Sequence, residues 1–438
     1  MRRQSSTVIS ARTLPCLLSH GSPQAGGVED ERSPSGSPKA VRRQAPTPES
    51  PFSSGSTHSA LGGLIKTKEE ARFFIYYVRH LSPWVDICDT RSHFATEVPR
   101  RALHEPLLAY ALIACASRQL SFISSIGNFD PALYYSRALS LLISKLSGPV
   151  EDLDENILAA LILLRTYEEI TGRLGSMSVR DAMTVEQDPS DDTATHLSGV
   201  TQLLNSVSNY MGKGGLGEAA SWIVLRQDMY FSMTRSHPLR TRLECYKASS
   251  CFTDDSPESI VNRIVLICAK IQAHAFGPAG RATVQQWDQL RAEAEAWYES
   301  RPWDFRPMWV EDGDVFPKAW LSQSVQVMGY QQYYLSLMLL AIFDPRLWEP
   351  GFESFRQRRT TEEIVHENIR LIMGLAISNP SGMTNKFIAS HALQACGTYL
   401  TDPEEQKEAL KFLDEVETQC GWRTKPVVDK LLAAWSMR

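Results

Sequence analysis

The sequence predicts an all-α protein: an irregular multi-helix body over residues 61–438, preceded by a disordered tail over residues 1–60. Three observations carry that expectation. Helix-start signals recur along the body, apolar residues repeat behind them at helical spacing, and runs that alternate apolar and polar residues over strand length are scarce. Taken in order, Thr67 with Glu70 opens the first helix, because a hydroxyl cap and a carboxylate three residues on satisfy each other's backbone donors. Asp130-Pro131 opens another. Thr360 with Glu363 is expected to repeat the first device, and Asp402-Pro403-Glu404-Glu405 joins a cap and a first-turn proline to two acids that suit the positive end of the helix dipole. Behind these starts run the stripes Ile157, Ala160, Leu161, Leu164 and Tyr167; Trp222, Leu225, Met229 and Met233; Val365, Ile369, Ile372 and Ala376; and Ala409, Phe412, Leu413 and Val416. Each should face a shared core. No repeat of about 30 to 45 residues is present, which favours an irregular helical domain over a solenoid.

The tail is a different material. Its sixty residues hold thirteen Ser, seven Pro and five Gly, too little apolar surface to offset the entropy of ordering. It is also basic, at +3, which leaves −8 for the body within the total of −5. That balance excludes a polybasic nucleic-acid binder. The longest strongly apolar stretch, around Tyr333 to Phe343, is shorter than the ~18 to 20 residues of a spanning helix, so no membrane segment is expected. Arg12 and Pro15 interrupt any signal-peptide core; the Arg and Ser of the first residues suit a transit peptide by composition alone, and Lys39, Arg42 and Arg43 make a thin nuclear-import candidate. A solvated linker with scattered charge is the stronger reading of each. Eight cysteines with no CxxC pair point to reduced thiols in a nuclear or cytosolic setting.

Two breaks interrupt the helical pattern. Arg173 to Asp192 is polar and should be a flexible excursion, whereas Arg301 to Pro317 is rich in proline and tryptophan and should be ordered. There Trp303, Phe305 and Trp309 are expected to anchor a stiffened loop on the helical body, with a ligand or partner surface as the alternative.

The search for chemistry is mostly negative. Gly212, Gly214 and Gly217 match GxGxxG, but Thr195 to Val207 before them has helical spacing where a nucleotide fingerprint needs a strand, so a helix-to-helix loop is favoured. Asp254, Asp255 and Glu258 spell DDxxE, which could hold magnesium against a diphosphate in a helical terpene-type cyclase. Pro257 instead makes Asp254 to Ser256 look like an ordinary helix start. There is no HExxH, GxSxG or zinc-type spacing, and His391 with Cys396 reads as helix packing. No enzyme, cofactor or metal is expected. Arg226 and Tyr230 lie one position round from the Trp222, Leu225, Met229 stripe; a buried Arg226 needs an anion, either a neighbouring Asp or Glu or an acidic effector.

The block KTKEEARFFIYYVRHLSPWVDICDTRSHFATEVPRRALHEPLLAYALIACASRQLS, Lys66 to Ser121, resembles the start of the fungal-specific regulatory domain of binuclear zinc-cluster transcription factors. HLSGVTQLL from His196, ASWIVLRQDMYFSMTRSHPLR from Ala220, NRIVLICAKIQAHAFG from Asn262 and WYESRPWDFRPMWVEDGD from Trp297 look like later blocks of that family in order. So do FDPRL from Phe343, GLAISN from Gly374, ASHALQACGTYLTDPEEQKEAL from Ala389 and GWRT from Gly421. The resemblance implies an all-α regulatory domain of a nuclear transcription regulator, often one controlling a metabolic or secondary-metabolite gene cluster. Such factors carry six cysteines on two zinc ions ahead of this domain, whereas here only Cys16 precedes Cys88. Zinc binding and autonomous DNA binding are therefore not carried over: the start is truncated, a partner supplies the DNA contact, or the domain serves another regulatory use. The expected mechanism is a helical domain biased by a protein partner, a homodimer contact or a small-molecule effector, with Arg226, Tyr230, Trp303, Phe305 and Trp309 as the candidate surface. A magnesium-dependent cyclase and a non-transcriptional interaction scaffold are the rivals.

Overall fold

A computed structural model describes residues 63–124, 127–147, 154–171, 210–277, 282–348 and 351–437, all within the unit Leu61–Arg438. The expectations for the tail, for Arg173 to Asp192 and for Thr195 to Val207 fall outside the described residues. Among those described, fourteen α-helices and one two-stranded sheet form the main regular structure, so the fold class is all-α.

Thr67 caps α1 (Lys68–Tyr76) as its spacing predicts. Its hydroxyl accepts from Glu70 N at 3.1 Å, and Glu70 Oε2 accepts in return from Thr67 N at 2.9 Å. A π-helical turn, Tyr77–Leu81, carries the chain on into α2 (Ser82–Val85). Then follow α3 (His93–Ala102), α4 (Pro106–Ile123), α5 (Pro131–Leu146) and α6 (Glu155–Thr171). Asp130 caps α5 by accepting from Ala132 N at 2.9 Å. α1, α3, α5 and α6 all pack on α4. Among the described residues α4 alone is long and apolar enough to cross a membrane, a candidate that the longest strongly apolar run does not mark; two thirds of it is buried inside the protein as the centre of this first group.

A second group centres on α10 (Ser324–Ile342), which packs on α8 (Pro257–Phe276), α9 (Val284–Glu299), α11 (Phe352–Ser378) and α12 (Met383–Cys396). Because α10 is buried nearly all round, its polar residues must find partners inside. Gln331 Nε2 donates to the Ile372 and Asn385 carbonyls at 3.2 and 3.0 Å, and Gln326 Nε2 to the Asp304 carbonyl at 3.0 Å. Between the groups lies α7 (Gly215–Arg235), in contact with α3 and α6 on one side and α8 and α12 on the other. α13 (Pro403–Cys420), capped by Asp402, packs on α4 and α12, and α14 (Lys425–Ser436) ends the described chain. All four apolar stripes named from the sequence are buried.

Two local expectations need correcting. Thr360 does not start a helix: α11 begins eight residues earlier at Phe352, and the Thr360 hydroxyl bonds back to the Arg356 carbonyl at 3.3 Å. No proline or glycine separates Phe352 from Thr360, and arginine-rich sequence propagates a helix readily. The Arg301 to Pro317 break is ordered, but it leads through a 3₁₀ turn, Trp303–Phe305, into a hairpin of β1 (Trp309–Glu311) and β2 (Lys318–Trp320). Trp309 faces Trp320 across that antiparallel pair. Of the three aromatics named from the sequence, Phe305 alone anchors it, fully buried and with its carbonyl accepting from Tyr330 Oη at 2.9 Å, joined by the buried Phe316; Trp303 and Trp309 are 81% and 57% exposed. The hairpin connection runs so close to α11 that a Cβ on Gly374 would stand 1.8 Å from the Pro317 oxygen, so only glycine fits there.

Candidate functional site

Where the two helix groups meet at α7 lies a half-open cavity of about 130 Å³. α7 contributes Ile223, Arg226, Met229, Tyr230 and Met233; α2 contributes Trp84 and Val85; α6 contributes Thr166 and Glu169. From the second group come Gln272 of α8, Met328, Gln332 and Leu335 of α10, and Thr384, Phe387, Ile388 and His391 of α12, with Trp422 between α13 and α14. The short α2 reaches this place because the π turn re-aims the chain after α1, and Thr384 Oγ1 then ties it to α12 through the Trp84 carbonyl at 2.9 Å.

One side of the cavity is aromatic. Tyr230 stacks on His391 with ring centroids 3.5 Å apart, and Phe387 meets Trp84 edge-on at 5.1 Å and Trp422 at 4.4 Å. The polar side is incomplete. Arg226 Nη2 donates to the Val85 carbonyl at 2.9 Å, while Nη1 is buried without a hydrogen-bond partner. Gln272 Oε1, Gln332 Oε1 and His391 Nε2 are likewise buried and unmet. Each such group costs about 1 to 3 kcal/mol, and here four converge on one cavity.

Arg226 is the cation that lines the cavity. No described carboxylate forms an ion pair with it, although Asp86 behind the wall feels its charge and Glu169 lines the same cavity. Glu169 is accompanied by Arg165 at 3.5 Å. Behind the wall, burial pushes the Asp86 carboxyl up to about 7, against the Phe94 and Ala95 N–H groups it accepts and the charge of Arg226. Burial holds the His391 imidazole down at about 3, so the ring is neutral at ordinary pH and its Nε2 can donate or accept according to tautomer. His391 packs α12 against α7 through its stack on Tyr230 and also lines the cavity, while Cys396 is buried.

Of the five residues singled out from sequence, the fold brings Arg226 and Tyr230 to the cavity and places Trp303, Phe305 and Trp309 elsewhere, at the hairpin. Sequence reasoning missed Gln272, Gln332 and the aromatic wall. The signal for Gln332 was a polar pair, Gln331-Gln332, inside a long apolar stretch. Nothing local marks Trp84 or Trp422, which are separated from α7 by more than a hundred residues of chain.

The two motifs with enzymatic overtones share a second, polar recess of about 260 Å³ lined by Gly214, Gly215, Asp254 and Glu258 together with Asp89 and His93. Its chemistry is already committed. Gly214 N donates to Glu218 Oε2 at 2.8 Å and Gly217 N to Glu155 Oε2 at 2.9 Å, so these amides face carboxylates rather than a phosphate. Asp254 accepts from Ser256 N and Oγ at 2.8 and 2.7 Å, Asp255 pairs with Arg263 at 3.0 Å, and Ser256 caps α8. Among the described residues no three His, Cys, Asp or Glu side chains are grouped to hold a metal ion. The seven described cysteines are free thiols; burial drives Cys115 and Cys268 up to about 12 and 11, well away from thiolate reactivity.

An all-α frame accords with the regulatory class that the sequence resembles, and residues 72–235 match the fungal specific transcription factor domain. That segment runs from α1 to the end of α7 and supplies the Trp84 and Arg226 side of the cavity. The chain is also similar to Transcription activator AMTR1 of Alternaria alternata, 21% identical over an alignment covering 80% of this chain and 61% of that protein's length. No solved structure matches the chain.

Proposed function

We propose that the protein is a transcription regulator of fungal type, acting in the nucleus on a metabolic or secondary-metabolite gene cluster. Its helical domain is biased by an effector or a protein partner. The match of residues 72–235 to the fungal specific transcription factor domain carries this reading, and the similarity to a protein named as a transcription activator supports it. The unmet polar atoms around Arg226 favour an effector held inside the domain, because a bound polar molecule would satisfy groups that the described residues leave without partners. DNA contact through a partner or a homodimer fits a body whose net charge is −8.

A second reading, a protein-interaction scaffold, is favoured by the hairpin, where Trp303, Met308, Trp309 and Val310 are all more than half exposed. Both readings are tested together. The full chain fused to a heterologous DNA-binding module should change a reporter several-fold, and deleting the gene should alter a coherent set of transcripts. An inert fusion, unchanged transcripts and a tagged protein outside the nucleus would remove the regulator and leave the scaffold.

A further inference from the structure

We infer that the cavity beside α7 is a binding site for a small aromatic carboxylic acid. The inference deepens the effector reading above and rests on it for its biological consequence, although the binding itself is independent of transcription. Size sets the first limit. A cavity of about 130 Å³ is close to the ~150 Å³ apolar cavity that accommodates benzene, so a single ring with one or two substituents fills it.

Chemistry sets the rest. The stacked Tyr230 and His391 rings, with Phe387 and Trp422 beyond them, form a wall suited to a flat π-face. Arg226 Nη1 is a buried N–H donor on a permanent cation with no ion pair among the described residues, which makes a carboxylate the complementary group. Gln272 and Gln332 each present an unmet amide oxygen that a ring hydroxyl could donate to, and these two glutamines are 1% and 6% exposed. A purely apolar ligand would leave all these groups unmet. A larger or multiply charged one would meet Glu169 on the α6 side.

Binding of benzoate and 4-hydroxybenzoate to the purified full chain, measured by calorimetry and by thermal shift, tests the site. The expected result is saturable one-to-one binding that weakens at least tenfold for benzamide, which keeps the ring but not the charge. Arg226→Met should weaken benzoate to a similar degree, and Leu335→Phe, which fills the cavity from α10, should abolish binding. Should Arg226→Met fail to fold, the comparison of benzoate with benzamide on the unaltered protein carries the same information. No binding at millimolar benzoate overturns the inference and leaves the cavity to water; equal affinity for acid and amide overturns it by showing that Arg226 does not read a carboxylate. Benzoate binding with an inert reporter fusion would uphold the site while removing the regulator; an active fusion without binding would do the reverse.

Discussion

At the residue scale, two buried ionisable groups near the cavity titrate abnormally and in opposite senses. His391 is held at about 3 against an ordinary 6.5, so on acidification the unfolded chain takes up the proton first. Its contribution to stability is complete above about pH 6.5 and is lost as the pH falls toward 3. Asp86 is raised from 3.8 to about 7, so the folded chain keeps a proton that the unfolded chain releases. Its contribution is complete below 3.8 and is lost as the pH rises toward 7. Between pH 4.5 and 6.5 the two slopes, each approaching ~1.4 kcal/mol per pH unit, largely cancel. Each single substitution should therefore unmask the other group. Asp86→Asn should make the urea midpoint fall on acidification through that window, and His391→Phe should make it rise. Parallel, unchanged pH profiles in the two variants would contradict the assignment. Neither shift was legible in the sequence, because a pKa is set by burial among residues far apart in the chain, and Asp86 owes its two N–H partners to the fold of Phe94 and Ala95 back upon it.

At the scale of elements, local signals were legible where the local chemistry had no competitor. Thr67, Asp130 and Asp402 all cap as their spacing predicts, each preceded by non-helical backbone. Thr360 has the same spelling as Thr67, yet sits mid-helix because nothing upstream stops the helix. The two threonines should then respond differently: Thr67→Ala should cost about 1 kcal/mol through the lost capping box, whereas Thr360→Ala should change stability by less than about 0.5 kcal/mol. Thermal unfolding of the two variants checks this, and equal losses would show that Thr360 still acts as a boundary. The hairpin was only half legible. Proline and tryptophan foretold order, but the two strands are three residues each, too short to register as alternation, and which aromatic would be buried depended on where Tyr330 of α10 arrives.

At the scale of the molecule, the all-α class followed from four stripes that all proved buried, while the cavity did not, because its walls come from helices that only the tertiary fold brings together. Residues 72–235 contain one recognisable domain by sequence, but α7 at their end presents Trp222, Leu225 and Met229, and its partners α8 and α12 lie beyond that boundary. A fragment of residues 72–235 should accordingly be loosely packed, with far-ultraviolet helicity, weak near-ultraviolet signals and dye binding, whereas the full chain should show fixed aromatic signals. A native-like fragment spectrum would argue against the shared core. The same division bears on how such proteins are recombined. Arg226 and Trp84 are inherited with the matched segment, whereas Gln272, Gln332, His391 and Trp422 are inherited separately. A chimera that exchanges residues 72–235 with a relative pairs half of one cavity wall with half of another, and on the inferred site it should lose benzoate binding until the C-terminal half is restored to match.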